Sequence, residues 1–291
     1  MVSRAVTRAK HWVQASRPLA QINIAVPLLL GQAAAWHVCG AFEFAWFAAA
    51  FAWGVLDHLF IIFGNDYADR GSDSGPRTPI SGGSGVIGEG KISATSIKRA
   101  AIASALSLVA WSCVLVAYER PWTPVYAAAA IALLWLYSYA PARLSYRGGG
   151  ELLQAVGMGV VLPSLGFYLQ CADFLAPLWV LAPATILGFC GNVLSALPDL
   201  ESDTRAGKRT WPVRVGVPPA LRTASIGVAF AGFAAFLWTP DTGVQVRALI
   251  GIVPLIPLVI ASRQSNPLAA AWWASGAIHG LLISWVVALA T

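Results

Sequence analysis

The sequence predicts an all-α, multispanning membrane protein, one bundle of about nine transmembrane helices with a cytoplasmic N-terminus. Three observations predict it. Of the 291 residues, 57% are hydrophobic and only 11% charged, whereas a soluble domain carries about a quarter charged residues. Apolar runs of roughly the 20 residues needed to cross the hydrocarbon recur along the whole length, so residues 1–291 read as a single helical domain with no separate soluble module. Lys and Arg also gather on alternate loops, the pattern of a polytopic protein with a defined cytoplasmic side.

Taken in order, the N-terminal "MVSRAVTRAKHWVQASRP" is basic and amphipathic. No small-residue cleavage site follows a short apolar core, so the first span is expected to be retained. Spans are expected at about 18–38, 42–64, 96–117, 121–140, 151–170, 175–197, 219–239, 243–262 and 267–290. With the N-terminus inside, 17 of the 19 Lys and Arg residues fall on the inner side. Only Arg120 and Arg247 fall outside, where Glu43, Glu119, Asp173 and Asp241 mark short loops. The net charge of +6 is thus explained by topology and anionic lipid, and no nucleic-acid partner is expected. Cys39, Cys113, Cys171 and Cys190 are far apart without a CxxC, which predicts buried free thiols rather than zinc ligands or disulfides. The four histidines show neither HxxxH nor HExxH spacing, so they are poor metal ligands.

Two long polar loops stand out, "NDYADRGSDSGPRTPISGGSGVIGEGKIS" from Asn65 and "PDLESDTRAGKRTWPVRVG" from Pro198. They form expected cap loops at about 65–95 and 198–218 on the same side. Each runs acidic first and basic after, which hints at an internal duplication. If the second span continues past its apolar stretch, Asp66, Asp69 and Asp73 share a helical face, and Asn65 joins it through Asp69. Asp199 and Asp203 are likewise four apart. Asn192 and Ser195 extend that stripe back into the preceding span, and Pro198 can open the helix locally. Two unit charges about 4 Å apart repel by roughly 4 kcal/mol at an effective dielectric of 20, so acids gathered here require cations. All-oxygen donors select a hard ion, and Mg²⁺ binds through one or two carboxylates plus substrate phosphate. Arg77, Lys91, Arg205, Lys208 and Arg209 would hold the polyanion, a diphosphate.

No Walker A loop is present, and "RGGGE" at 147–151 reads as a turn. The glycines of "SGGSGVIGEG" fit a covering loop or a plain linker. A diphosphate that belongs in a bilayer is a polyprenyl diphosphate, with its tail among Leu, Val, Phe and Trp. Its ionisation gives an allylic cation that needs a dry, aromatic-lined cavity. Trp135, Tyr137 and Tyr139 in "LLWLYSYAP", with Tyr146, would line it or form an interfacial belt.

These motifs resemble a known family. "NDYADRGSD" resembles the NDxxDxxxD signature of the UbiA superfamily of intramembrane prenyltransferases, and "DLESD" resembles its second DxxxD. "SRPLAQINIAVPLLLG", "GEGKIS" and the basic residues after Asp203 extend the likeness. "YSYAPARLSYRGGGELLQAVGMGVVLPSLGFYLQ" is similar to the menaquinone-pathway branch, which prenylates dihydroxynaphthoate. The resemblance implies nine helices around a central cavity, open laterally to lipid, with Mg²⁺-diphosphate under a cytoplasmic cap. It implies that Asn65, Asp66, Asp69, Asp73, Asp199 and Asp203 bind two Mg²⁺ bridged by diphosphate, and that Arg77, Lys91 and Lys208 hold the leaving group. Arg209 and Asn192 would join the substrate site, with Tyr137, Tyr139 and Tyr146 along the cavity. Ala196 and Pro198 stand where that branch tends to have Asn and Arg. Asp57 lies about two turns inside the second span, outside the signature; it lines the acceptor pocket, steadies a cation, or pairs structurally with His58 or another helix.

The expected reaction is Mg²⁺-dependent ionisation of a polyprenyl diphosphate, geranylgeranyl or longer, and capture of the cation by an aromatic or other small acceptor. A terpene cyclase on the same scaffold is the alternative, since ionisation is common to both. A cation channel or transporter would need polar residues through successive spans, and these are scarce. The expected setting is a bacterial or archaeal cell membrane.

Overall fold

A computed structural model describes residues 2–40, 42–72, 83–239, 242–264 and 266–290. An amphipathic helix, α1 (Val2–Ser16), leads through a 3₁₀ turn at Pro18–Gln21 into α2 (Ile22–Cys39). Gly40, in the left-handed region at φ 67°, ends α2 and turns the chain. Then follow α3 (Phe44–Ala68), α4 (Ala94–Val116) and α5 (Thr123–Ser138). A short α6 (Leu144–Arg147) precedes α7 (Gly150–Val156), which runs through a π turn at Gly157–Val161 into α8 (Leu162–Cys171). The rest comprises α9 (Leu178–Ala196), α10 (Leu200–Arg205), α11 (Trp211–Val215), α12 (Val217–Trp238), α13 (Val244–Ile252), α14 (Leu255–Ser262) and α15 (Pro267–Ala290). The described residues contain helices and turns only.

Seven helical segments among the described residues are long and apolar enough to cross a membrane, and Thr123–Ser138 and Arg247–Ser262 are shorter apolar helices. The expected span at 243–262 is broken between α13 and α14. Pro254 sits at the break, where it can donate no backbone hydrogen bond. Consecutive long helices pack against one another in chain order, and α15 returns to pack on α2, so the circuit closes.

Two apolar clusters share α2 and α8. One joins them to α9, α12 and α15; the other joins them to α3, α4 and α5. The α2–α8 contact depends on Gly31, where a Cβ would lie 1.9 Å from the Pro163 carbonyl oxygen. Small residues at such contacts let two backbones approach inside a bilayer, where water cannot drive association. Buried polar atoms find partners across helices: Trp53 Nε1 donates to Ser112 Oγ at 2.9 Å, and Trp285 Nε1 to Thr239 Oγ1 at 2.9 Å. Leu106, Phe230 and Phe233 instead point outward, as lipid-facing side chains do.

The cysteine expectation is corrected. Cys39 and Cys171 form a disulfide between the ends of α2 and α8. They are 132 residues apart in sequence, so no local spacing announces the pair. Cys190 is a buried free thiol and Cys113 an exposed one. The disulfide lies at the end of the bundle where α3 begins, opposite the end where α3 reaches its acidic residues.

A third, smaller cluster shapes that acidic end. Ala15 of α1 packs with Phe63, Val86, Ile92, Ile97 and Ala101, with Trp12 alongside. Trp12 meets Phe63 edge to face, ring centres 5.9 Å apart. The apolar face of α1 thereby pins the returning segment 83–92 beside the end of α3.

Candidate active site

The first motif emerges as its periodicity requires. α3 continues past its apolar stretch to Ala68 with Asp69 as its C-cap, so Asp66 and Asp69, three apart, share a face. Both are buried, and Asn65 is half-buried. Asp73 and Arg77 lie outside the described residues. The second motif begins where α9 stops at Ala196. Pro198 and Asp199 sit in a turn, and Asp199 becomes the N-cap residue of α10. Asp203 N–H donates to the Asp199 carbonyl at 2.7 Å, and the Asp203 side chain is buried.

Lys208 joins the motifs. Its Nζ lies 3.1 Å from Asp69 Oδ2 and 3.3 Å from Asp203 Oδ1, and all three side chains are largely buried. Burial opposes the lysine's charge, but the Asp69 and Asp203 carboxylates outweigh it and hold the ammonium well above its ordinary pKa. Tyr146 donates to Asp69 Oδ1 at 3.1 Å and meets Ser72 Oγ at 3.0 Å. Thr210 Oγ1 donates to Asp203 Oδ2 at 3.4 Å.

Asp66 is held from the other side. Its Oδ1 accepts the Ser84 backbone N–H at 3.1 Å, and its Oδ2 accepts the Ser84 hydroxyl. Gln14 Nε2 donates to the Ser84 carbonyl at 2.9 Å, and Lys91 Nζ donates to Gln14 Oε1 at 2.8 Å. Lys91 also pairs with Glu89 at 2.6 Å. Its ammonium therefore reaches Asp66 through Gln14 and Ser84, not directly. Neither Ser84 nor Gln14 is marked by a motif, because only the packing of α1 and segment 83–92 brings them here.

The aromatic residues divide. Tyr139 donates to the Gly64 carbonyl at 2.7 Å, where the missing side chain leaves room: a Cβ on Gly64 would meet Leu134 at 2.6 Å and the Tyr139 hydroxyl at 3.8 Å. Tyr137 and the buried Asn192 side chain lie near each other. Trp135, by contrast, points outward and belongs to the lipid-facing surface. The RGGGE segment turns as expected, with Gly148 at φ 85° between α6 and α7.

Between the ends of the two motifs lies an open cavity of about 490 Å³ whose lining includes Arg70, Arg143, Tyr146, Ser202 and Arg205. Arg143 lies over the Tyr146 ring at 3.5 Å and Arg70 over Tyr67 at 4.2 Å. Arg205 has an exposed pair with Glu201 at 3.9 Å. Arg70 and Arg143 escaped the sequence reading; Arg70 sits inside the first motif, but nothing in the spacing aims it at a ligand. Arg209 is exposed beside Gly148. Asp57 is buried on α3, and His58 Nε2 donates to the Ser16 carbonyl at 2.8 Å.

Among the described residues no three His, Cys, Asp or Glu side chains converge as a ready-made metal cage. The donor chemistry nevertheless fits a hard divalent cation. The side chains of Asn65, Asp66, Asp69, Asp199 and Asp203 offer oxygen ligands, and a positive charge, the Lys208 ammonium, already bridges two of the acids.

Known proteins resemble this chain in sequence and in fold. The chain is 27% identical over 219 residues to a 1,4-dihydroxy-2-naphthoate octaprenyltransferase of Mycobacterium leprae, covering 71% of this chain and 69% of that protein. It is 26% identical over 225 residues to the protein of the same name from Bacillus subtilis, covering 75% and 70%. A solved UbiA homolog from Archaeoglobus fulgidus, bound to DMAPP and Mg²⁺, superposes with a TM-score of 0.66 at 18% identity over 96% of this chain and 98% of that one. The model of the UbiA prenyltransferase family matches residues 24–275, most of the chain and both acidic motifs, and this all-helical membrane protein belongs to that family.

Proposed function

We propose that the chain is a Mg²⁺-dependent intramembrane prenyltransferase that takes a polyprenyl diphosphate, geranylgeranyl or longer, and joins its prenyl group to a hydroxylated aromatic acceptor of the dihydroxynaphthoate kind. The observation that carries the reading is the Lys208 bridge between Asp69 and Asp203, set beside a cavity lined by Arg70, Arg143 and Arg205. Two acidic motifs 130 or so residues apart meet around a cation at the mouth of an apolar bundle, a constellation suited to a lipid diphosphate.

The roles follow from the chemistry. Asp66, Asp69, Asp199 and Asp203, with Asn65 and Asp73, hold the metal, which when bound supplies Lewis-acid stabilisation to a departing diphosphate. The three arginines of the cavity and the neighbouring Lys208 hold diphosphate oxygens, and Arg77 and Arg209 add positive charge to the same loops. Lys91 acts through Gln14 and Ser84 to fix Asp66. Tyr137 and Tyr139 stand at the inner end of α5, where the allylic end of the substrate would enter. Tyrosine faces stabilise a cation there, and the apolar helices exclude the water that would quench it. Transfer is preferred to cyclisation because both curated relatives are named for transfer to a naphthoate.

Two arguments favour a cytoplasmic active site. The expected topology gathers 17 of the 19 Lys and Arg residues on one side, and the Cys39–Cys171 disulfide lies at the opposite end, consistent with an oxidising exterior. The test is mass spectrometry of products from purified protein with Mg²⁺, geranylgeranyl diphosphate and a panel of acceptors. A prenylated dihydroxynaphthoate with equimolar diphosphate is expected. A terpene hydrocarbon or alcohol formed without any acceptor would overturn transfer in favour of cyclisation.

A further inference from the structure

The RGGGE segment turns the chain, but its last residue is an acid that a turn does not need. Glu151, in the first turn of α7, is 4% exposed, and burying a carboxylate is costly unless it is hydrogen-bonded. Its Oε1 accepts the Trp211 backbone N–H at 2.5 Å, across 60 residues of sequence. A hydrogen bond from an N–H to a carboxylate is about twice as strong as a neutral one. A second contact lies beside it. Gly148, at φ 85°, leaves room for the same stretch: a Cβ there would lie 3.1 Å from the Arg209 carbonyl oxygen and 3.3 Å from Arg214 Nη1. RGGGE therefore meets residues 209–211 at two points, by close packing and by a hydrogen bond.

The stretch so held is the one that joins the two acidic motifs. Residues 208–210 lie between α10 and α11, outside any helix, so their position depends on what anchors their ends. At the front, Lys208 N–H donates to the Asp203 carbonyl at 2.9 Å. At the rear stands Trp211, held by Glu151 through its backbone and by Phe189 of α9 edge to face at 6.1 Å. Between these anchors, Lys208 Nζ reaches Asp69 and Asp203, and Thr210 Oγ1 reaches Asp203 Oδ2 at 3.4 Å. The Thr210 contact is already at the long end of the hydrogen-bond range, so a small shift of Trp211 breaks it.

Resting on the prenyltransferase reading, we propose that Glu151 is a positioning residue for the diphosphate clamp. It acts through Trp211 rather than on metal or substrate: by fixing that backbone it sets the reach of Lys208 and Thr210 to the acids of both motifs.

The experiment is Mg²⁺-dependent binding of a non-ionisable geranylgeranyl diphosphate analogue to purified wild type, Glu151→Gln, Glu151→Asp and Glu151→Leu, each well below its melting temperature. Gln keeps an acceptor oxygen at the same reach without the charge, whereas Asp keeps the charge and retracts it by one methylene. Glu151→Leu is expected to bind about tenfold or more weakly, Glu151→Gln close to wild type, and Glu151→Asp between them. Gly31→Val, at the α2–α8 contact, reads out lost stability alone and should bind as wild type does. Wild-type affinity in Glu151→Leu would overturn the proposal. So would an affinity loss that follows melting temperature across all variants, Gly31→Val included, since that marks Glu151 as structural. Should Glu151→Leu fail to fold, the other two decide: Glu151→Asp binding at least as tightly as Glu151→Gln would overturn a role based on reach. Wild type without Mg²⁺-dependent binding of the analogue would instead refute the underlying diphosphate reading.

Discussion

Asp66 shows what a single carboxylate needs at the end of a membrane helix. It is 6% exposed, and its two oxygens are taken up by the Ser84 backbone and hydroxyl. Ser84 is in turn fixed through its carbonyl by Gln14. In the proposed site this orients Asp66 toward a metal without supplying a charge. Groups that orient metal ligands in this way typically contribute about 10–100-fold in metal affinity or activity. Ser84→Ala is therefore expected to raise the Mg²⁺ concentration for half-maximal diphosphate release by about that factor with little loss of thermal stability, measured by metal titration in detergent. The acidic residues were legible in the sequence because helical periodicity alone places Asp66 beside Asp69. Ser84 and Gln14 were not, since segment 83–92 returns to α3 only through the tertiary contacts of α1.

At the scale of elements, close helix contact does work that the hydrophobic effect cannot do in lipid. Gly31 is the sharpest case, with the Pro163 carbonyl 1.9 Å from a would-be Cβ. Gly31→Val must push α2 and α8 apart, and overpacking of this kind costs about 1–3 kcal/mol. A lowered melting temperature is expected in a detergent thermal-shift assay, with a Gly276→Ala control, where nothing lies within 4 Å of the added carbon, near wild type. Most helices were legible as apolar runs. The break at Pro254 was legible only as a proline; that it divides the expected span depends on how α13 and α14 pack against α12 and α15. The disulfide between Cys39 and Cys171 was invisible, because the proximity of the two cysteines is a product of the α2–α8 contact rather than of spacing.

At the scale of the whole molecule, the proposed topology puts the basic loops at one end and the disulfide at the other. Arg205 is exposed at the acidic end and Tyr118 at the other. In inside-out vesicles, a Cys at position 205 should react with a membrane-impermeant maleimide, whereas one at 118 should react only in right-side-out vesicles. The reverse pattern would invert the proposed topology. The charge bias that predicts this is legible in the sequence, while the closure of the helix circuit by α15 on α2 was expected only from the family resemblance, since no local pattern joins the first and last spans.

The central claim is that two acidic loops, with four spans between them in sequence, act as one clamp on a lipid diphosphate. The most direct measurement is Mg²⁺-dependent binding of a non-ionisable geranylgeranyl diphosphate analogue to wild type, to Asp66→Asn/Asp69→Asn and to Asp199→Asn/Asp203→Asn. Each double variant is expected to lose most of the Mg²⁺-dependent affinity, and combining the two should cost little more than either alone, as for groups that act as a unit. Full Mg²⁺-dependent binding by either double variant would contradict a clamp made of both loops.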